Sequence, residues 1–418
     1  MDNNSIIWGI AGVAVLGVIV RPFRMPEYIW AVFGAAVLVA FGLLPWHDAL
    51  AAAAKGIDVY LFLVGMMLLS EVARQEGLFD WLAALAVRHA RGSAKRLFLI
   101  IYAVGTLVTI FLSNDATAVV LTPAVYAAAT AARVEPLPYL LICAFIANAA
   151  SFVLPISNPA NLVVFGAHMP PLAQWLYQFT LPSIASILAT YLLLRFTQRG
   201  ALDQKISEHS PTEPLSVGGK CVAVGIALTA LALLGASSLD RQLGLPTFMA
   251  AAAVTIIVLI ISRQSPLPVL RDISWGVLPL VAGLFILVAG VEQTGILNAI
   301  TQMLHEAAAS SPREASFGAG VIVALVSNLM NNLPTGLVAA TVSQGADVPL
   351  QVTSGILIGV DLGPNLSVTG SLATILWLIA LRREGEAVTV WQFLKLGIVV
   401  MPPALLAALL AVFATGGY

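Results

Sequence analysis

NAASFVLPISNPAN, residues 148–161, interrupts an otherwise continuous apolar stretch. The run that begins near Pro138 reaches Leu154, breaks at Pro155-Ile156-Ser157-Asn158-Pro159, and resumes from Ala160 to Ala167. In hydrocarbon each unsatisfied backbone N–H or C=O costs several kcal/mol, roughly, so such a break survives only where it lines a polar cavity buried in protein. Asn158 suits a helix N-cap and Pro159 the first helical position. The stretch therefore predicts a helix, an unwound polar link and a second half-helix. Secondary transporters build substrate sites in this way.

The rest of the composition agrees with a membrane setting. Of 418 residues, 59% are hydrophobic and 10% charged, and mean hydropathy is +0.94. These values exclude a soluble domain or a disordered chain and predict an all-α polytopic membrane protein in contact with the lipid bilayer. A net charge of −1 gives no reason to expect nucleic acid. Cys143 and Cys221 are too few for a thiolate cluster, and no HExxH pattern is present. No metal, cofactor or intramembrane enzyme is expected. Asp2 and the absence of Lys or Arg before the first apolar run argue against a cleavable signal.

Apolar segments fall at 5–20, 27–44, 57–73, 96–112, 115–132, 138–168 (broken) and 178–197. A polar loop, 198–218, carries Asp203, Lys205, Glu208, Pro211, Glu213 and Pro214. A second series follows at 220–236, 245–262, 273–291, 315–330, 333–345, 351–382 (interrupted) and 392–414. The order repeats. Gln75-Glu76-Gly77-Leu78-Phe79 corresponds to Gln293-Thr294-Gly295-Ile296-Leu297, Asn114-Asp115 to Asn331-Asn332, and the break at 155–161 to 363–370. The chain reads as a first repeat (1–197), a cytoplasmic linker (198–218) and a second repeat (219–418). Each repeat has about five transmembrane helices, with a re-entrant hairpin (96–132 or 315–345) and a broken helix. With both termini outside, 17 of the 20 Lys and Arg fall inside, and only Lys55, Arg241 and Arg313 outside. Five crossings per repeat then make the second repeat inverted relative to the first.

Four polar clusters lie within apolar surroundings. They are Ser113-Asn114-Asp115 with Thr117; Ser157-Asn158 with Asn161; Asn331-Asn332 with Thr335; and Asp361, Asn365, Ser367, Thr369 and Ser371. Each precedes an apolar helical run, so backbone N–H groups would face a shared cavity and bind an oxygen-rich solute. Simple helix capping explains any one cluster. Two symmetric pairs are harder to explain that way. Candidate substrate-binding residues are therefore Asn114, Thr117, Ser157, Asn158, Asn161, Asn331, Asn332, Asn365, Ser367 and Thr369. Asp361 and Asp115 are the candidates for proton coupling, because intramembrane carboxylates are costly. Glu71 reads as an i,i+3 pair with Arg74, Asp58 as interfacial, and His89 and His168 as end residues. Residues 78–91 suit an amphipathic interfacial helix. Trp46, Trp81, Trp175, Trp275 and Trp391 sit near segment ends, as an aromatic belt would place them.

FLSNDATAVVLTP (111–123), LPISNPANLVV (154–164), NNLPTG (331–336) and GVDLGPNLSVTGSLATILW (359–377) resemble the arsenite efflux permeases (ArsB-type) of the ion transporter superfamily. The resemblance runs from about residue 5 to the C-terminus. It implies export of arsenite and antimonite across the cell inner membrane against protons, on an elevator-like scaffold. It also implies a homodimer and association with a cytosolic arsenite-stimulated ATPase. Related sodium-coupled dicarboxylate transporters have Ser-Asn-Thr at both hairpin tips, where this chain has Ser113-Asn114-Asp115 and Asn331-Asn332-Leu333.

The neutral trihydroxy forms of arsenite and antimonite suit amide and hydroxyl partners. A three-thiolate site is impossible with two cysteines. The alternative is another ion-coupled carrier of this superfamily, a sodium/proton antiporter or a carboxylate transporter. The latter is disfavoured by the lack of a mid-membrane Lys or Arg. A channel fits paired broken helices less well than alternating access.

Overall fold

A computed structural model of the chain describes residues 2–166, 169–204, 206, 214–239 and 241–415. His168 and, in the linker, Lys205, Glu208, Pro211 and Glu213 lie outside the described residues. Within them the regular structure is all helical. The first half contains α1 (Asn3–Val20), α2 (Glu27–Ala40), α3 (Trp46–Lys55), α4 (Ile57–Gln75), α5 (Leu78–Ala90), α6 (Ala94–Phe111), α7 (Thr122–Ala131), α8 (Leu137–Ala149), α9 (Pro159–Phe165) and α10 (Leu172–Thr197). The second contains α11 (Val217–Ser238), α12 (Gly244–Ser262), α13 (Pro266–Asp272), α14 (Val277–Gln293), α15 (Ile296–Ser310), α16 (Pro312–Met330), α17 (Asn332–Gly345), α18 (Leu350–Leu362), α19 (Leu372–Arg383) and α20 (Val390–Ala414).

Seven of these are long and apolar enough to cross a membrane: α1, α6, α10, α11, α12, the α13–α14 run and α20. The α3–α4 pair, bent by 47°, makes an eighth. The segment expected at 27–44 is shorter than the sequence suggests. Its helix ends at Ala40, because Gly42 (φ 66°) turns the chain ahead of Pro45. Fourteen residues rise about 21 Å, short of a hydrocarbon core of about 30 Å.

The two halves interlock. α4 packs along α12, and α14 along α2. Both contacts are made at glycine. A Cβ added at Gly65 would stand 2.9 Å from the Thr247 carbonyl oxygen, and one at Gly283 the same distance from that of Ala31. Without a hydrophobic force between helices in lipid, close backbone approach of this kind supplies the packing energy. α16 and α18 are closer still: Gly355 and Gly359 leave no room for a side chain against the backbone of Ser316 and Gly320. α10 and α20 pack against each other across the halves.

Helix α5 is two-faced: it buries Phe79, Ala83, Ala86 and Val87 and exposes Arg88 and His89. Beyond α10, the linker begins by docking on the turn that precedes α6. Ile206 N donates to the Gly92 carbonyl at 3.3 Å. Lys95 Nζ lies 2.6 Å from Asp203 and holds that exposed carboxyl below its usual range.

Candidate functional site

The first break opens earlier than its prolines suggest. α8 stops at Ala149, and residues 150–158 run without an α-helical turn until Asn158 caps α9 by accepting from Ala160 N at 3.0 Å. Two side chains satisfy the carbonyls set free. Asn161 Nδ2 donates to Ser151, Leu154 and Pro155 oxygens at 2.9, 3.2 and 3.3 Å. Trp175 Nε1 donates to those of Phe152 and Val153 at 3.2 and 3.3 Å. Trp175 therefore does not belong to an aromatic belt. It is fully buried and packed on Phe179 and Phe165, because an indole N–H in a dry interior must find an acceptor. Trp46, Trp275 and Trp391 are exposed.

Ser157 Oγ accepts from Leu154 N (3.2 Å) and donates to the Ile110 carbonyl (3.1 Å), which ties the break to the first hairpin tip. At that tip Asn114 Oδ1 accepts from Asp115 N and Ser113 Oγ from Ala116 N. Thr117 pairs with Thr109 at 2.8 Å. The chain then passes through a π-helical stretch, Ala116–Leu121, before α7.

The second break is held differently. Asn328 of α16 donates to the Gly363 carbonyl (3.0 Å), accepts from Ser367 Oγ at its side-chain oxygen (2.7 Å), and accepts from Thr369 Oγ1 at its backbone oxygen (2.8 Å). Asn332 N donates to the Gly370 carbonyl at 2.8 Å, and Asn331 Nδ2 to that of Thr369 at 3.4 Å. Asn331 has a positive φ of 74°, a strained setting for a side-chain residue that costs about 1–3 kcal/mol and is common at functional sites. Each hairpin tip thus touches the break of its own half.

Three bonds across the halves tie the second break and the end of α18 to the first break and to α8. Asn158 Nδ2 donates to Asp361 Oδ1 at 2.8 Å, and Asn148 Nδ2 to Asn365 Oδ1 at 3.0 Å. Asn365 Nδ2 in turn donates to the Phe145 carbonyl at 2.9 Å. Asp361 is wholly buried and its Oδ2 has no partner among the described residues. Asp115 is instead half-buried and borders a cavity.

Two cavities flank α9. One, of about 100 Å³, is lined by Ser113 and Asp115 at the first tip, Pro159 at the start of α9, Ser70 and Glu71 on α4, and Asp272 before α14. The other, of about 380 Å³, is lined by Leu162 and Gly166 at the far end of α9, Asp58 on α4, Glu292 on α14, and Thr341 and Gln344 on α17. Asp58 and Glu71 sit at opposite ends of α4, about 20 Å apart at 1.5 Å per residue. One helix wall, α4 with α14, therefore serves both cavities. Asp58 also accepts from Gly244 N at 2.7 Å at the start of α12, and Glu71 pairs with Arg74 as its spacing suggests.

Asn148 and Asn328 escaped the sequence reading. Each lies three residues before a polar residue of a cluster or break, Ser151 and Asn331, inside an apolar helix. That spacing places it about one turn back on nearly the same face. Asn161 and Asn365, read from sequence as substrate contacts, spend their amide donors on backbone carbonyls.

A family model described as Citrate transporter matches residues 14–360. An arsenical pump membrane protein of Escherichia coli is 26% identical over 394 residues, which cover 91% of this chain and 92% of its own. Its counterpart in strain K12 is 28% identical over 365 residues, covering 83% and 84%. Among solved structures, the YdaH transporter of Alcanivorax borkumensis shares the fold. Its TM-score is 0.57 at 16% identity, over 88% of this chain and 86% of that one.

Proposed function

We propose a cargo and a mechanism from one premise: the chain belongs to the citrate transporter (CitMHS) family of the ion transporter superfamily and is a multi-pass membrane transporter. The proposed cargo is neutral arsenous acid or its antimony analogue, exported from the cytoplasm in exchange for protons. The observation that carries this reading is the make-up of the site. Among the described residues, the tips and breaks offer amides, hydroxyls and two carboxylates, with no Lys or Arg. A trihydroxy acid both donates and accepts, which suits such groups; a carboxylate cargo would find no cationic side chain at the tips and breaks, Lys55 lying in the wall of the larger cavity. Relatives named as arsenical pump membrane proteins support the same cargo.

In this reading Asp361 and Asp115 divide the proton work. Asp361 has one oxygen held by Asn158 and the other free. A carboxylate so placed binds a proton in one state and releases it in another. The tips, breaks and α9 would move as a unit along α4 and α14, exposing the site to each cavity in turn. The matching succession of elements and the crossed packing of α4 on α12 and α14 on α2 support two inverted repeats. An inner-membrane setting with both termini outside, a homodimer, and docking of an arsenite-stimulated ATPase on the cytosolic face complete the proposal.

Everted membrane vesicles test it. Arsenite should accumulate when a proton gradient is imposed and leak back when the gradient is collapsed. Gradient-driven uptake of citrate without uptake of metalloid would defeat the reading in favour of a carboxylate carrier.

Thiols play no part in this scheme. Cys143 is fully buried and Cys221 partly so, and Cys143 acts as a small apolar residue. The double variant Cys143→Ser/Cys221→Ser should transport arsenite within about two-fold of the parent, since Ser and Cys are close in volume. Loss of transport in a normally expressed double variant would argue for thiol ligation.

A further inference from the structure

We propose that the smaller cavity, beside Asp115, is an anion-excluding vestibule: its charge turns away oxyanions and carboxylates before they reach the hairpin tips and admits neutral polyhydroxy acids. Three carboxylates surround it, Glu71 on α4, Asp272 ahead of α14, and Asp115 on the first tip. One cation answers them. Arg74 Nε donates to Glu71 Oε2 at 2.9 Å, and its Nη2 bonds Glu71 Oε1 and, at 2.8 Å, Asp272 Oδ2. Gln75 Nε2 also fixes Glu71, at 2.7 Å. With Asp115 ionised, the guanidinium offsets one negative charge of three and leaves a formal charge of −2 around the space; with Asp115 protonated, −1 remains.

A plain staple between α4 and α13 would explain Glu71, Arg74 and Asp272. It does not explain Asp115, which faces them from another element and has no cation partner among the described residues. Between these groups the walls are apolar, formed by Leu63, Met66, Val119 and Val277. Low-dielectric walls focus the field of a charged cleft onto whatever enters. That the path carries a metalloid acid rests on the function proposed above; the charge of the cavity does not.

The test reads charge without needing transport. Ser70 lines the cavity, so Ser70→Cys is placed in the Cys143→Ser/Cys221→Ser chain and its reaction with a cationic and an anionic methanethiosulfonate is timed in everted vesicles. For unit charges about 6 Å apart in water, Coulomb's law changes each rate about three-fold, so each carboxylate changes the cation-to-anion rate ratio about ten-fold. The ratio should exceed that of a free thiol by at least that factor. It should fall about ten-fold in Asp272→Asn and further in Asp272→Lys. In the same vesicles the Asp272→Lys variant should make citrate and phosphate inhibitors of arsenite uptake. A free-thiol ratio indifferent to residue 272, or no reaction from the cytosolic side, overturns the vestibule. A ratio that behaves as stated in vesicles that accumulate no metalloid upholds it and defeats the transport reading alone.

Discussion

Proteoliposomes carrying Asp361→Asn are expected to exchange substrate but not to accumulate it. A gradient of two pH units stores about 2.7 kcal/mol per proton, enough for about 100-fold accumulation in a one-for-one exchange. A carrier that cannot titrate should fall to a ratio of about one. Asn is the informative replacement because it keeps the size of the side chain. Its oxygen can still accept from Asn158 Nδ2, which holds Asp361 at 2.8 Å in the native chain. A drop in accumulation with binding intact therefore reports the lost proton, not a collapsed site. Asp115→Asn should reduce accumulation less completely, because Asp115 borders a cavity and has no partner from the opposite half. Gradient-driven accumulation at the native level by both variants would remove these aspartates from the coupling scheme.

The second large effect is on assembly. Gly359→Val is expected to abolish a stable, monodisperse protein, because its Cβ would overlap the Gly320 carbonyl oxygen and press on the Ala324 amide. Backbone atoms on both sides cannot rotate out of the way, and overpacking of this kind costs about 3 kcal/mol or more. Gly355, facing Ser316 one turn earlier, should behave alike. Gly12→Val, on a face of α1 with open space around it, provides the control and should leave thermal stability in detergent unchanged. Equal stability of the Gly359 and Gly12 variants would mean that α16 and α18 do not pack at this distance.

The difference between what the sequence reveals and what it hides has a physical cause. Paired breaks, polar tips and an amphipathic arm are local patterns, so NAASFVLPISNPAN and GPNLSVTG announce themselves. Hydrogen-bond partners are not local. Nothing near Asn161 tells that its amide serves the carbonyls of the preceding loop, or that Asn158 meets Asp361 from the other half. Asn148 and Asn328 carry no such signal, because the acceptors that tie them to the second break lie 217 and 35 residues away. A tryptophan near the end of a segment reads the same whether it stands exposed, as Trp391 does, or plugs the interior, as Trp175 does. Residue order likewise records the succession of helices while leaving unwritten the early end of α8, which depends on donors supplied from α9 and α10.

The crossed packing of the halves also sets a timetable for the ribosome. Gly65 of α4 seats against Thr247 of α12, and Ala31 of α2 against Gly283 of α14. At about 5–20 residues per second, partners some 180 and 250 residues downstream emerge roughly ten to fifty seconds after the helices they must cover. During that interval α2 and α4 stand in the bilayer with small-residue grooves unfilled, open to lipid or to the wrong helix. A nascent chain of this design stays half-made until its second half arrives, and neither half alone can close the wall that α4 and α14 form together.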